Sequence, residues 1–258
     1  MRLMKRILSA AAVLALSASL LVGCSSGTAS SVPVSASSAA ESTVSSVEET
    51  ASSAVDENEA AAAQLLNDLT GSYQELWPVI LADEYKQTWL DDCTALVGED
   101  NAEAAFEKLS SMVTGDVYGE DAVKAYANGG GAYFCGFTNS LAILTFDGET
   151  STISGTDKDG NVLFSHTYHY IGMEPVRGLY EFQSDDADSG EFTYFFLAPD
   201  TSAETYHIEF RYGSDAVALS QYDTGEYAYW LASGISTDCD QTMIDNCIEL
   251  FCTENLAG

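Results

Sequence analysis

The chain has 258 residues, 46% of them hydrophobic, with 40 Asp and Glu against nine Lys and Arg and a formal net charge of −31. Binding along a phosphate backbone needs a basic surface, so this balance excludes nucleic acid as a partner and sets the chain against an anionic membrane surface. Three of the nine basic residues lie in the first six positions and every acidic residue follows residue 40, so the remainder is more acidic still.

Those first six positions, with Arg2, Lys5 and Arg6, read as a basic n-region. Ile7 to Val22 is then a nearly unbroken apolar stretch of 16 residues, shorter than the roughly 20 that a spanning helix needs. It ends in Leu21-Val22-Gly23-Cys24, which resembles the lipobox cut by lipoprotein signal peptidase. The expectation is a signal peptide over 1–23, lipid on Cys24, and a chain held on the outer face of a bacterial membrane through that lipid alone. Residues 24–60 are Ser, Ala, Thr, Val and Glu with no aromatic residue, a composition that cannot offset chain entropy by burial and reads as a disordered tether. Residues 61–258 are long enough for one domain with a sizeable core.

Beyond Cys24 there are five cysteines, Cys93, Cys135, Cys239, Cys247 and Cys252. Export permits disulfides, but an odd number leaves at least one thiol unpaired within the chain. No spacing is that of a zinc ribbon, and the sequence leaves the pairing open. Cys247 falls on the apolar face of the last helix, where a buried structural role fits.

In chain order, residues 57–69 and 100–112 carry apolar positions at three- and four-residue intervals (Leu65, Leu66, Leu69; Ala105, Phe106, Leu109) and read as helices. From Gly131 the period becomes two. The strands expected are 132–138, 141–147, 150–156, 161–171, 177–183, 191–198 and 205–212, with Asp147-Gly148 and Asp159-Gly160 as hairpin turns. A closing helix starts near Asp238 and Gln241, which have capping-box spacing, and buries Met243, Ile244, Cys247, Ile248 and Phe251. Helix, consecutive antiparallel strands and helix together imply an up-and-down sheet closed into a small barrel.

Several segments, in order over about residues 68–255, resemble the ZinT (YodA) family of lipocalin-like proteins of bacterial zinc homeostasis. Gly71-Ser72-Tyr73-Gln74 through Trp77-Pro78 follows the family's D-G-x-W-Q-S-x-Y-P opening, with Tyr73 in place of Trp. Lys124-Ala125-Tyr126 is similar to a K-x-Y-x-x-G helix end, and Tyr168 to Gly172 to Y-x-Y-x-G. Pro175-Val176-Arg177-Gly178-Leu179-Tyr180-Glu181 resembles G-V-R-Y-L-F-E, and Tyr206-His207-Ile208 with Gly213-Ser214-Asp215 resembles F-H-I…G-N-D. The resemblance implies a mainly β, lipocalin/calycin-like antiparallel barrel with N- and C-terminal helices. It also implies zinc as the bound ion, three histidines at the barrel mouth, and delivery to a metal ABC importer or its binding protein. The chain departs from that pattern, with Phe195 and Thr205 where the resemblance implies two of the histidines, so that His207 alone remains.

Zinc sites take three or four ligands from His, Cys, Asp and Glu. In a strand over 205–212, Thr205, His207, Glu209 and Arg211 share one face and Tyr206, Ile208, Phe210 and Tyr212 the other. His207 and Glu209 are therefore candidate ligands of one ion. His166 and His169 point to opposite faces, so at most one joins them, and His169 is the third candidate. Strand pattern places the polar face in solvent and the aromatic face in the core, whereas the resemblance places the polar face inside the barrel. The acidic stretches 157–161 and 185–191 lack EF-hand spacing and read as hairpin loops. No nucleophile triad, P-loop or paired-carboxylate motif marks an enzyme. The functional expectation is an extracytoplasmic, lipid-anchored protein that binds zinc or a related divalent ion. The alternative is a calycin that has lost the metal and takes a small organic ligand or a protein partner.

Overall fold

The computed structural model describes residues 57–199 and 205–257. The expected signal peptide, Cys24 and the tether up to residue 56 lie outside them. The first described element is helix α1 (57–68), which buries Ala62, Leu65 and Leu66, the stripe that the sequence spacing announces.

Eight antiparallel strands close a barrel in sequence order: β1 (Gly71–Glu75), β2 (Ile143–Asp147), β3 (Thr152–Thr156), β4 (Val162–Met173), β5 (Tyr180–Ser184), β6 (Tyr194–Leu197), β7 (Ile208–Gly213) and β8 (Ala232–Ser236). Pairing of Tyr73 with Ser236 and of Glu75 with Gly234 joins the first strand to the last, so the sheet has no free edge. This is the closed up-and-down barrel that the strand pattern implies, and it has the lipocalin-like form that the family resemblance implies.

Both hairpin turns form where Asp-Gly pairs stand. Asp147 Oδ1 accepts the amides of Glu149 and Thr150 at 3.1 and 3.3 Å. Gly148 lies so close to α1 that a Cβ there would sit 2.4 Å from Asn67 Cα, so this turn also seats the first helix. In the next hairpin Asp157 accepts three bonds from Asp159 and Asn161 at 2.8–2.9 Å. These bonds, those from Asn161 foremost, hold its carboxyl below the usual range. The aspartate is thus occupied by its own loop.

Three expectations are corrected. Residues 132–138 form no regular strand. Phe134 makes only single bridges, to Thr114 and Trp230, outside the ladder of the barrel. Strand β7 starts at Ile208 and not at 205, since Tyr206 has φ +65°, a left-handed residue that breaks the alternation. The last helix is capped by Asp240, whose Oδ1 accepts the Met243 amide at 2.9 Å, and not by Asp238. Replacing Asp240 with alanine should cost about 1 kcal/mol, a fall of roughly 2–4 °C in melting temperature for a domain of this size, while Asp238→Ala should leave thermal unfolding unchanged.

Between β1 and β2 lie α2 (Leu76–Ile80), a 3₁₀ turn at Asp83–Tyr85, α3 (Lys86–Val97), α4 (Glu99–Val113) and α5 (Glu120–Ala127). A short α6 (Ala216–Leu219) follows β7, and α7 (Gln241–Leu256) closes the chain. Helices α2, α3, α4 and α7 form a second core outside the barrel around Trp89, Leu109, Ile248 and Cys252. Trp89 donates its indole N–H to the Ile80 carbonyl at 2.7 Å and packs on Phe106 and Phe251. The barrel interior is the first core, filled by Phe146, Phe164, Phe182, Phe195, Phe210 and Tyr212 among others.

Candidate metal-binding site on the outer wall of β7

Strand β7 settles which of its faces is inside. Ile208, Phe210 and Tyr212 are buried in the barrel core. Phe195, opposite Tyr212 in the register, packs its ring 5.3 Å from that tyrosine and 5.4 Å from Tyr168. The polar set His207, Glu209 and Arg211 therefore lies on the outer wall, as strand alternation implies, and not in the cavity that the family resemblance suggests. Aromatic bulk decides this: rings from β4, β5, β6 and β7 fill the space that an internal ion would need.

The outer face of β7 is nonetheless covered. At one end Arg211, fully buried, reaches under the segment after β7 and donates to the carbonyls of Leu219, Gln221 and Tyr227. Its guanidinium lies 4.4 Å over the Tyr222 ring, whose other approach is taken by Arg177 at the same distance. Glu174, buried beside them, accepts the amides of Val176 and Arg177 at 2.7 and 2.6 Å and the Tyr222 hydroxyl at 3.4 Å. This network is structural: each charge is spent on carbonyls, amides or an aromatic face.

At the other end stand His207 and Glu209. The left-handed Tyr206 folds the chain so that Thr205 Oγ1 donates to the His207 carbonyl at 2.8 Å and His207 Nδ1 lies 2.7 Å from the Thr205 carbonyl. A carbonyl only accepts, so Nδ1 carries a hydrogen and Nε2 is the nitrogen that titrates. Nε2 lies 3.9 Å from Glu209 Oε1, and the ring also meets the Cys247 side chain from α7. Burial alone pulls the imidazole pKa down, but the neighbouring Cys247 side chain and Glu209 carboxylate outweigh it and hold the ring well above the usual histidine range. Cys135 lies near Glu209, and burial pushes its thiol up to about 12, which keeps that sulfur protonated and a poor ligand.

Of the three ligands expected from sequence, the structure brings His207 and Glu209 together. His169 sits on β4, separated from β7 by β5 and β6 in the barrel order. Its Nδ1 is 2.6 Å from Asp185 Oδ1, while His166 Nδ1 is 2.7 Å from Asp186 Oδ2. Sequence reasoning assigned Cys247 to the core and missed that its buried side chain lies near the His207 ring. The signal was its helix face, but nothing in the sequence docks that face on β7. Among the described residues no three His, Cys, Asp or Glu side chains converge in an arrangement that would already hold a metal ion.

No protein-family model matches the chain, and no curated protein does. Among solved structures it is similar to the Zn(II)-bound ZinT-like domain of Streptococcus pneumoniae AdcA. That likeness has 15% identity and a TM-score of 0.45 over 72% of this chain and 89% of that one. The Zn(II)-bound AdcA of the same organism is also similar, at 14% identity and a TM-score of 0.42 over 72% of this chain and 34% of that one. The barrel assignment rests on the strand pairing itself.

Proposed function

We propose that this chain is an extracytoplasmic, lipid-anchored binding protein that captures a divalent ion, zinc first, on the outer wall of β7 and passes it to a metal importer. The observation that carries this reading is His207. Its Nδ1–H is fixed on the Thr205 carbonyl, which leaves Nε2 free to face Glu209 at 3.9 Å, with Cys247 near the ring, one nitrogen, one oxygen and one sulfur of the kinds zinc accepts. A backbone carbonyl on the far nitrogen is the usual second partner of a metal-bound histidine. The opening sequence, with its lipobox-like Leu21 to Cys24, supports export and anchoring, and the acidic surface supports accumulation of cations near the site.

In this reading the ion would replace the proton on Nε2 and, with Cys247 as a ligand, that cysteine's thiol proton as well, while Glu209 would supply a carboxylate oxygen. With only two or three ligands supplied and solvent completing the shell, affinity is modest and release is easy, which suits a carrier. Because Nε2 is held in its protonated form, zinc must displace a proton, so affinity should rise with pH until the ring is neutral. Zinc titration of the full chain against a competing chelator should show one site, weakened at least tenfold by His207→Ala and little by His169→Ala. An unchanged affinity in His207→Ala would refute the assignment.

A second reading has one observation of its own. A cavity of about 320 Å³ lies outside the barrel, lined by Glu75, Trp77, Pro78, Leu81, Val113 and Cys135 among others, and the buried Trp77 indole N–H is left without a hydrogen-bond partner. A small organic ligand would fit there against the Trp77, Pro78 and Leu81 side chains. A rise in melting temperature on adding such compounds, undiminished by chelator, would favour this reading over the first.

A further inference from the structure

We infer that Cys93 and Cys252 form a buried disulfide that ties α3 to α7. Their sulfurs lie 3.9 Å apart, and both residues are fully buried in the helical core. A disulfide needs about 2.05 Å between sulfurs, so each must shift by roughly 1 Å, within the reach of small side-chain rotations. Both residues are already on the facing sides of packed helices, with Trp89, Ile248 and Phe251 around them.

Asp92, beside Cys93, has a carboxyl oxygen buried without a hydrogen-bond partner. Burial raises its pKa, and Glu249 and Asp245 of α7 add to the rise. Like charges across a helix pair push it apart, and a covalent tie opposes that push. Among the described residues no other two sulfurs come within hydrogen-bonding distance: Cys135 is near Tyr133 and Trp77, and Cys247 is near Cys239 and His207.

The chemistry is thiol–disulfide exchange with a protein or low-molecular-weight disulfide as oxidant. One cysteine thiolate attacks the oxidant's sulfur and releases its first thiol. The second thiolate then attacks the mixed disulfide and releases the other thiol, so two protons and two electrons leave the protein for the oxidant. Burial raises both thiols in the folded state, so exchange belongs to the folding chain, before α7 docks.

The test is refolding of the full chain in a buffer of reduced and oxidised glutathione, followed by alkylation and non-reducing peptide mapping. The expected product is a Cys93–Cys252 linked peptide, with Cys135, Cys239 and Cys247 alkylated. The cross-link spans a long loop, so the oxidised chain should melt roughly 10 °C above the same chain kept reduced. That difference should vanish in Cys93→Ala and in Cys252→Ala. A dominant Cys239–Cys247 peptide, alkylation of both Cys93 and Cys252 at equilibrium, or an oxidation-dependent rise that persists in Cys93→Ala would each overturn the assignment. The mapping does not depend on either variant folding.

Discussion

Arg211→Met is expected to lower the melting temperature by about 6–12 °C, corresponding to roughly 3 kcal/mol. The guanidinium is fully buried and has no carboxylate against it; it donates to the Leu219, Gln221 and Tyr227 carbonyls. Desolvation lowers its pKa, and the Tyr222 side chain opposes that shift. Methionine would fill the volume while leaving those carbonyls buried and unmet, and each lost partner costs on the order of 1 kcal/mol or more. Lysine would keep the charge but present one ammonium where a planar fork now spans three carbonyls, so Arg211→Lys should fall between methionine and the wild type. The segment 216–230 should also become more open to proteolytic nicking, because Arg211 ties three of its carbonyls to β7. A melting point within about 1 °C of wild type for the methionine variant would mean that apolar cover alone holds this segment, contrary to the geometry.

How much of this architecture the sequence disclosed depended on how strongly each element advertised its period. Strands β2 to β6 and both Asp-Gly turns were legible because one face of each strand is apolar and the turn residues are specific. Strand β1, Gly71–Glu75, buries chiefly Tyr73, and β8, Ala232–Ser236, consists mostly of small residues buried on both faces, so neither shows an alternation. Without them an eight-stranded closure could be argued only from resemblance. Helix α3 was missed for a related reason: Trp89 and Cys93 alone carry its buried stripe, too few to stand out from a polar background. The candidate site was legible only in part. His207 beside Glu209 follows from their spacing, but Cys247, Cys252 and Cys93 acquire their partners only when α7 docks, a long-range event with no local signature.

Placing a histidine at position 195, where the family resemblance implies a ligand, tests whether the phenylalanine there limits the proposed site. The expected result is that Phe195→His gains no zinc affinity and loses about 3 kcal/mol of stability, a fall of roughly 6–12 °C in melting temperature. Phe195 points inward, pairs across the sheet with Phe182 and Tyr212, and lies among the rings of Phe164, Tyr168 and Phe210. An imidazole there would be a buried polar group among aromatic rings, and His207 stands on the other side of the barrel wall. Two ligands on opposite faces of a sheet cannot share an ion, however well the residue types match. Tighter zinc binding by Phe195→His with its melting point preserved would instead require an ion inside the barrel, and would move the site from the outer wall of β7 to the aromatic core.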